Sequence, residues 1–166
     1  ATLDMVAPAF DAYTVAIAPE SPTRAEAAAL NARYRGRKAT EIIDAAVNEL
    51  FAGRIAMVSS FGSESAVLLH LLSKVDRNVP VVFINTGRLF PETIEYRRRL
   101  AELLGLTNVR DVGPEPSRVA ELDPIRALWM TDPDLCCHIR KTEPLARALE
   151  GFDAWFTGRK RFQSAV

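Results

Sequence analysis

With 166 residues the chain has room for one ordinary domain, which at this size buries roughly 70% of its unfolded surface. A composition of 48% hydrophobic and 25% charged residues excludes a disordered or fibrous chain. Lys plus Arg and Asp plus Glu each total 21, so the net charge is zero, which argues against a nucleic-acid-coating surface but leaves room for a local basic pocket. No stretch reaches the ~20 apolar residues that span a bilayer. Ala1-Thr2-Leu3-Asp4-Met5 lacks the basic start and apolar run of a secretory signal, so a cytoplasmic protein without membrane or nucleic-acid partners is expected. The two cysteines are neighbours, Cys136-Cys137, which excludes a disulfide framework.

In chain order, Thr23-Arg24-Ala25-Glu26 has the T-x-x-E form of a capping box and opens an Ala-rich helix running through Leu30. The apolar stripe Ile42, Ile43, Ala46, Val47, Leu50 predicts a second helix, punctuated by Gly53. From Ile55 the texture changes to short apolar runs alternating with amphipathic segments. Ile55-Ala56-Met57-Val58 predicts a strand, residues 65–75 a helix, and Val81-Val82-Phe83-Ile84 a second buried strand. Pro91 and Glu92 open a helix carrying Ile94, Leu100, Leu103 and Leu104. Residues 109–112 and Ala154-Trp155-Phe156-Thr157 predict the remaining strands, with Gly113-Pro114-Glu115-Pro116 and Thr131-Asp132-Pro133 as loops. The alternation predicts an α/β, doubly wound, mainly parallel sheet with helices on both faces and a ligand at the carboxyl ends of the strands. Residues 1–52 read as a helical lead-in packed on a core over residues 53–166. Arg97-Arg98-Arg99 fan out by about 100° per residue and read as a solvated helix surface. His70 reads as packed or capped.

The first strand runs into Ser59-Ser60-Phe61-Gly62-Ser63-Glu64-Ser65 and then a helix, an arrangement in which small residues, hydroxyls and a helix start can hold an oxyanion. The loop lacks the lysine of G-x-x-x-x-G-K-[ST], and a plain turn with a capping serine is the alternative. Asn85-Thr86-Gly87-Arg88 repeats the arrangement after Ile84, where a strand end offers main-chain groups to an adenine edge and Arg88 a charge to a phosphate. Thr157-Gly158-Arg159-Lys160-Arg161 puts three cations after the last apolar run. Three such strand ends on a neutral chain favour an anionic nucleotide. Cys136-Cys137, followed by His138, Arg140 and Lys141, reads as thiolate ligands for a metal or iron–sulfur centre, as part of a zinc site, or as two small buried residues.

Taken together, four segments resemble the adenylyl-sulfate and phosphoadenylyl-sulfate reductases. Residues 59–70 resemble that family's modified P-loop, and residues 85–93 its D-T-G-x-L-F-P-E-T segment. Residues 136–145 resemble its C-C-x-x-R-K-x-E-P-L helix, and residues 157–164 its T-G-x-R-R-x-Q-S. The resemblance runs in order from about Leu30 to the end. It implies a fold of the adenine nucleotide alpha-hydrolase-like (PP-loop) type. It also implies thioredoxin-dependent reduction of adenylyl sulfate to sulfite and AMP, in assimilatory sulfate reduction and cysteine biosynthesis. Members with the adjacent cysteines hold a 4Fe–4S cluster, so Cys136 and Cys137 are its expected ligands. The expected substrate-binding set is Ser59, Ser60, Phe61, Gly62, Ser63, Glu64, Ser65, Ile84, Thr86, Gly87, Arg88, Gly158, Arg159 and Arg161, with Lys141 supporting catalysis. Two departures stand out. Asn85 replaces the family Asp, and the nucleophilic cysteine and second cysteine pair are expected beyond Val166, leaving this chain inactive alone. A homo-oligomer is compatible with the sequence. The rivals are a 3′-phosphoadenylyl-sulfate reductase, an ATP-pyrophosphatase-type ligase with S-G-G-x-D-S, from which Phe61 and Glu64 depart, and a nucleotide-binding module without catalysis.

Overall fold

A computed structural model describes residues 24–158. Strands β1 (Ile55–Val58), β2 (Val81–Ile84), β3 (Val109–Val112) and β4 (Ala154–Thr157) form where the short apolar runs predict them. Ala56 and Met57 on β1, and Val81 and Val82 on β2, are all fully buried. Consecutive strand residues point to opposite faces, so both faces of the central strands are covered. All pairings are parallel in the order β3-β2-β1-β4, with Met57 opposite Val81, Val81 opposite Val109 and Ile55 opposite Ala154.

The first layer of helices is α2 (Ala39–Ala45), α3 (Ser63–Val75) and α4 (Pro91–Leu104). Helix α2 widens into a π-helical turn, Ala46–Leu50. Ile43, Val47, Leu69, Leu72 and Ala101 from this layer join Ile55, Met57, Val81 and Phe83 in one apolar cluster. At ~25 cal/mol per Å² of apolar surface removed from water, such burial is the main force holding the layer to the sheet. Helix α1 (Arg24–Arg33) buries none of its residues. The link from β3 back to β4 carries a second layer: α5 (Pro116–Leu122), α6 (Leu128–Thr131), α7 (Pro133–Cys137), a π-helical turn (His138–Thr142) and α8 (Glu143–Leu149). Helix α8 packs on β2 and β3.

Several expectations need correction. Pro116 and Pro133 open helices rather than lying within loops, because proline suits a first helical turn, where its missing N–H costs nothing. Helix α3 starts at Ser63, two residues earlier than the apolar stripe suggests. His70 is exposed rather than packed. Arg98 and Arg99 do lie on a solvated face, paired with Glu95 and Glu102. Arg97 departs from them, pairing with Asp111 and lying over the Phe83 ring. The capping-box residue Thr23 lies outside the described residues.

The second layer is fastened to the carboxyl end of β2 by one buried carboxylate. Asp123 accepts Arg140 Nη2 at 2.7 Å and the Leu128 N–H at 2.9 Å, and lies 3.5 Å from Arg88 Nη2. Arg140 donates its other Nη to the Thr86 carbonyl at 2.9 Å. Side-chain exposure is 7% for Arg140 and 1% for Asp123, so little solvent screens the pair. The Arg140 hydrogen bond, then the Leu128 N–H, hold the Asp123 carboxyl below its ordinary range.

Phe61 fixes the loop after β1. It is a non-glycine residue at φ 56°, a conformation that carries strain, yet its ring is buried edge-on against Phe83 at 5.5 Å. Phe61→Ala should lose about 3–5 kcal/mol in chemical denaturation. Phe61→Gly should be no less stable than the Ala variant, because glycine relieves ~1 kcal/mol of left-handed strain; a clearly weaker Gly variant contradicts this account. For Asp123 the folded-state pKa lies below the unfolded one. Its stabilisation is therefore complete above about pH 5 and is lost as pH falls through about 4 and below. Tm measured against pH should fall in that window, and the fall should be shallower in Asp123→Asn; an unchanged slope would remove Asp123 from the acid response.

Candidate functional site

Strand order places the site. The chain steps outward from β1 to β2 to β3, then returns to pair β4 on the other side of β1, so the sheet reverses between β1 and β4. Ligands of open α/β sheets sit at the carboxyl ends of the strands at such a reversal. Here the loop after β1 does three things in succession. Ser59 is buried, and its Oγ accepts the Phe61 N–H at 3.0 Å. Phe61 turns the chain through its positive φ, and Gly62 enters α3 with no side chain capping the helix. The first N–H groups of a helix have no intrahelical partner, so those of Ser63, Glu64 and Ser65 face the reversal with the helix dipole behind them.

Gly158 completes this cradle. A Cβ there would stand 3.1 Å from Ser65 Oγ, 3.6 Å from its Cα and 3.7 Å from its N. Any larger residue would press on the helix start. Among the expected substrate residues, Ser60, Gly62 and Ser63 are exposed and Ser65 is buried. Phe61 requires a correction: its side chain belongs to the core, so only its main chain faces the loop. Arg159 and Arg161 lie outside the described residues.

The turn after β2 is built by its own side chains. Asn85 donates its N–H to the Val112 carbonyl at 2.8 Å, which prolongs the sheet by one residue beyond the half-buried Ile84. Asn85 Oδ1 accepts the Gly87 N–H at 3.0 Å, and Thr86 Oγ1 the Arg88 N–H at 3.3 Å. The Asx turn needs an acceptor oxygen, which an amide supplies as an aspartate would, so Asn85 builds this turn without a carboxylate. Gly87 sits at φ 72°, as the turn requires. Gly113 packs so closely that an added Cβ would lie 2.7 Å from the Asn85 carbonyl oxygen. Arg88, expected to offer a charge to a phosphate, lines the cleft and already has protein partners. Its guanidinium donates to the Arg126 carbonyl at 2.5 Å and lies beside Asp123.

The adjacent cysteines reach the same place from the second layer. Asp132 caps α7 by accepting the Leu135 N–H at 3.0 Å, and the helix runs directly into the turn carrying Arg140 and Lys141. Both thiols are free; Cys136 is buried and Cys137 exposed. They open, with Lys141, Thr86, Arg88 and Trp129, into one cleft of about 260 Å³. His138 Nε2 lies 3.1 Å from Glu143, whose carboxyl is held low first by the Arg118 hydrogen bond, so the imidazole faces that carboxylate. Among the described residues no group of three or more His, Cys, Asp or Glu side chains could hold a metal ion. Cys136, Cys137 and His138 are therefore not gathered into a Cys-Cys-His group among the described residues. Two thiolates fit half of a four-thiolate cluster, and the chain holds no further cysteine.

Asp123, Trp129 and the partners of Arg140 escaped the sequence reading. An Arg next to the cysteine pair was visible, but nothing local marks Asp123 as the residue that receives it, since Arg140 lies 17 positions away and its other partner, Thr86, lies 54 away.

Comparison with known proteins agrees with this geometry. Residues 54–166 match the phosphoadenosine phosphosulfate reductase domain. Adenosine 5′-phosphosulfate reductase of Mesorhizobium japonicum is 50% identical over 142 residues, covering 86% of this chain and 56% of that protein. The Chelativorans protein of the same name is 52% identical over 140 residues, covering 84% of this chain and 57% of its own length. The chain thus spans about half the length of the curated relatives it matches. The crystal structure of phosphoadenylyl-sulfate reductase from Candida auris, a phosphate complex, superposes with a TM-score of 0.71 at 26% identity, covering 84% of this chain and 69% of that one. No helix among the described residues is long and apolar enough to cross a membrane. A four-stranded parallel sheet, a helix-start cradle at its reversal and a sequence match over two thirds of the chain converge on one assignment: the chain belongs to the phosphoadenosine phosphosulfate reductase domain family.

Proposed function

We propose that this chain is the sulfonucleotide-binding part of a thioredoxin-dependent adenylyl-sulfate reductase, which converts adenylyl sulfate to sulfite and AMP in assimilatory sulfate reduction. The observation that carries the reading is the shared cleft, in which Cys136, Cys137 and Lys141 face the turn at Thr86 and Arg88. The adenine would lie against main-chain groups near Ile84. The phosphosulfate would take the N–H groups at the start of α3, with Ser60, Ser63 and Ser65 as hydroxyl donors and Arg159 and Arg161 as further charges. Lys141 would stand at the sulfate end, where positive charge offsets the repulsion between an anionic sulfate and an approaching thiolate.

The reaction needs a nucleophile besides this cysteine pair. A cysteine thiolate attacks the sulfate sulfur, the S–O bond to the phosphate breaks, and AMP leaves with the bonding pair. A thioredoxin thiolate then attacks the cysteine sulfur of the S-sulfocysteine, releasing sulfite, and its second thiol reduces the resulting mixed disulfide, leaving thioredoxin oxidised. A 4Fe–4S cluster in the intact, cytoplasmic protein would supply an electrostatic centre beside the sulfate, with Cys136 and Cys137 as two of its four thiolate ligands. The neighbouring side chains act on their own account: Lys141 supplies charge, Arg140 holds the turn, and Trp129 forms part of the cleft wall.

Titration calorimetry separates this reading from its rivals. Adenylyl sulfate should bind at least about tenfold more tightly than its 3′-phosphorylated analogue, a difference of ~1.4 kcal/mol. The opposite preference would favour a phosphoadenylyl-sulfate reductase, and pyrophosphate release from ATP a ligase. Gly158→Val should weaken adenylyl sulfate binding by about 10- to 100-fold with Tm little changed, because the added side chain crowds the α3 start; unchanged affinity would place the phosphosulfate elsewhere. With thioredoxin and adenylyl sulfate, the 166-residue chain should form no sulfite. Turnover by it would refute the need for a further nucleophile.

A further inference from the structure

Beneath the cleft, Asp123 joins two segments that the reaction would use for different purposes. Arg140 is three residues beyond Cys137 on the same continuous helical body, and its planar fork divides between the Thr86 carbonyl and Asp123. Among the described residues its Nε is buried without a partner, and those two bonds orient the guanidinium. Arg88, from the other side of the turn, leans on the same carboxylate. The loop that follows Asp123 is shaped for this. Arg126 is a non-glycine residue held at φ 56°, and the carbonyl of that strained residue is the one that receives Arg88 Nη2. Asp123 Oδ1 caps Leu128 at the far end of the loop.

A buried ion pair is weak support for stability, since well-packed apolar residues often serve as well or better. What it supplies here is geometry. A charged fork with fixed hydrogen-bond directions ties the Thr86 carbonyl to the helical body that carries Cys137.

We propose that Asp123 is a positioning residue that couples the turn at residues 85–88 to the cysteine-bearing helix α7, so that a ligand seated at the turn shifts that helix and, in the chain without a cluster, the accessibility of the Cys137 side chain. The coupling rests on the reading of the cleft as a sulfonucleotide site. It predicts that the substrate end of the cleft is set by the nucleotide end, with Arg140 as the link and Asp123 as its fixed point.

The test reads Cys137 alkylation in the 166-residue chain with and without adenylyl sulfate. The thiolate displaces iodide from iodoacetamide, forming a thioether, and peptide mass spectrometry follows the rate at that residue. Calorimetry on the same samples sets each ligand concentration at ten times the Kd measured for that variant. Wild type should show a rate change of about fivefold or more on ligand saturation. In Asp123→Asn, and in Arg140→Lys, the ratio of the two rates should fall to within twofold of unity. The lysine variant keeps a charge at Asp123 but has no second planar N–H for Thr86, so it serves as the folded control where circular dichroism finds the asparagine variant unfolded. A ratio retained in either folded variant means that the ligand merely shields the thiol, which overturns the coupling. Binding heat in wild type with no rate change overturns the coupling while leaving the nucleotide site intact. Absence of any binding heat overturns the nucleotide reading and the coupling with it.

Discussion

Helix α3 begins with N–H groups that no residue of its own turn can satisfy, at the place where the sheet reverses from β1 to β4. That constraint orders the rest of the site. A side chain at position 158 would crowd the helix start, and glycine leaves it open. A flexible loop would blunt the dipole, and the buried ring of Phe61 holds the loop in a conformation that only a well-packed residue could sustain. The amides stand at the carboxyl end of β1, where a helix start favours an anion.

The second layer brings charge to the cleft beside the turn after β2. Its helices return from β3 across the sheet, and Asp123 binds them to the turn after β2 through Arg140 and Arg88. Two of the cations near the cleft are thereby partnered by one carboxylate, and Lys141 shares the opening with the exposed Cys137. A chain of zero net charge can in this way present a local positive field. Apolar burial by the first layer supplies the bulk of the stability, and polar geometry in the second supplies the alignment.

The sequence revealed the frame more fully than the fastenings. All four strands were legible because buried parallel strands are short apolar runs bounded by turn residues, and the loop after β1 was legible from its small residues and its place before a helix. The short helices opened by Pro116 and Pro133 were not, since proline marks loops and first helical turns alike. Phe61 reads locally as a loop residue, and only the position of Phe83 makes it a core residue. Asp123 was illegible for a similar reason: its partners are distant in sequence and no local pattern encodes them. The pairing of Arg88 was hidden because Asp123 lies 35 positions on.

The central claim is that an anionic nucleotide seats on the start of α3 at the sheet reversal. Amide chemical-shift mapping of the ¹⁵N-labelled chain during an AMP titration tests it most directly. The account predicts the largest shifts at Ser63, Glu64, Ser65 and Gly158, with a second group at Thr86, Gly87 and Arg88. Shifts confined to α4 and β3, with the start of α3 silent, would contradict it.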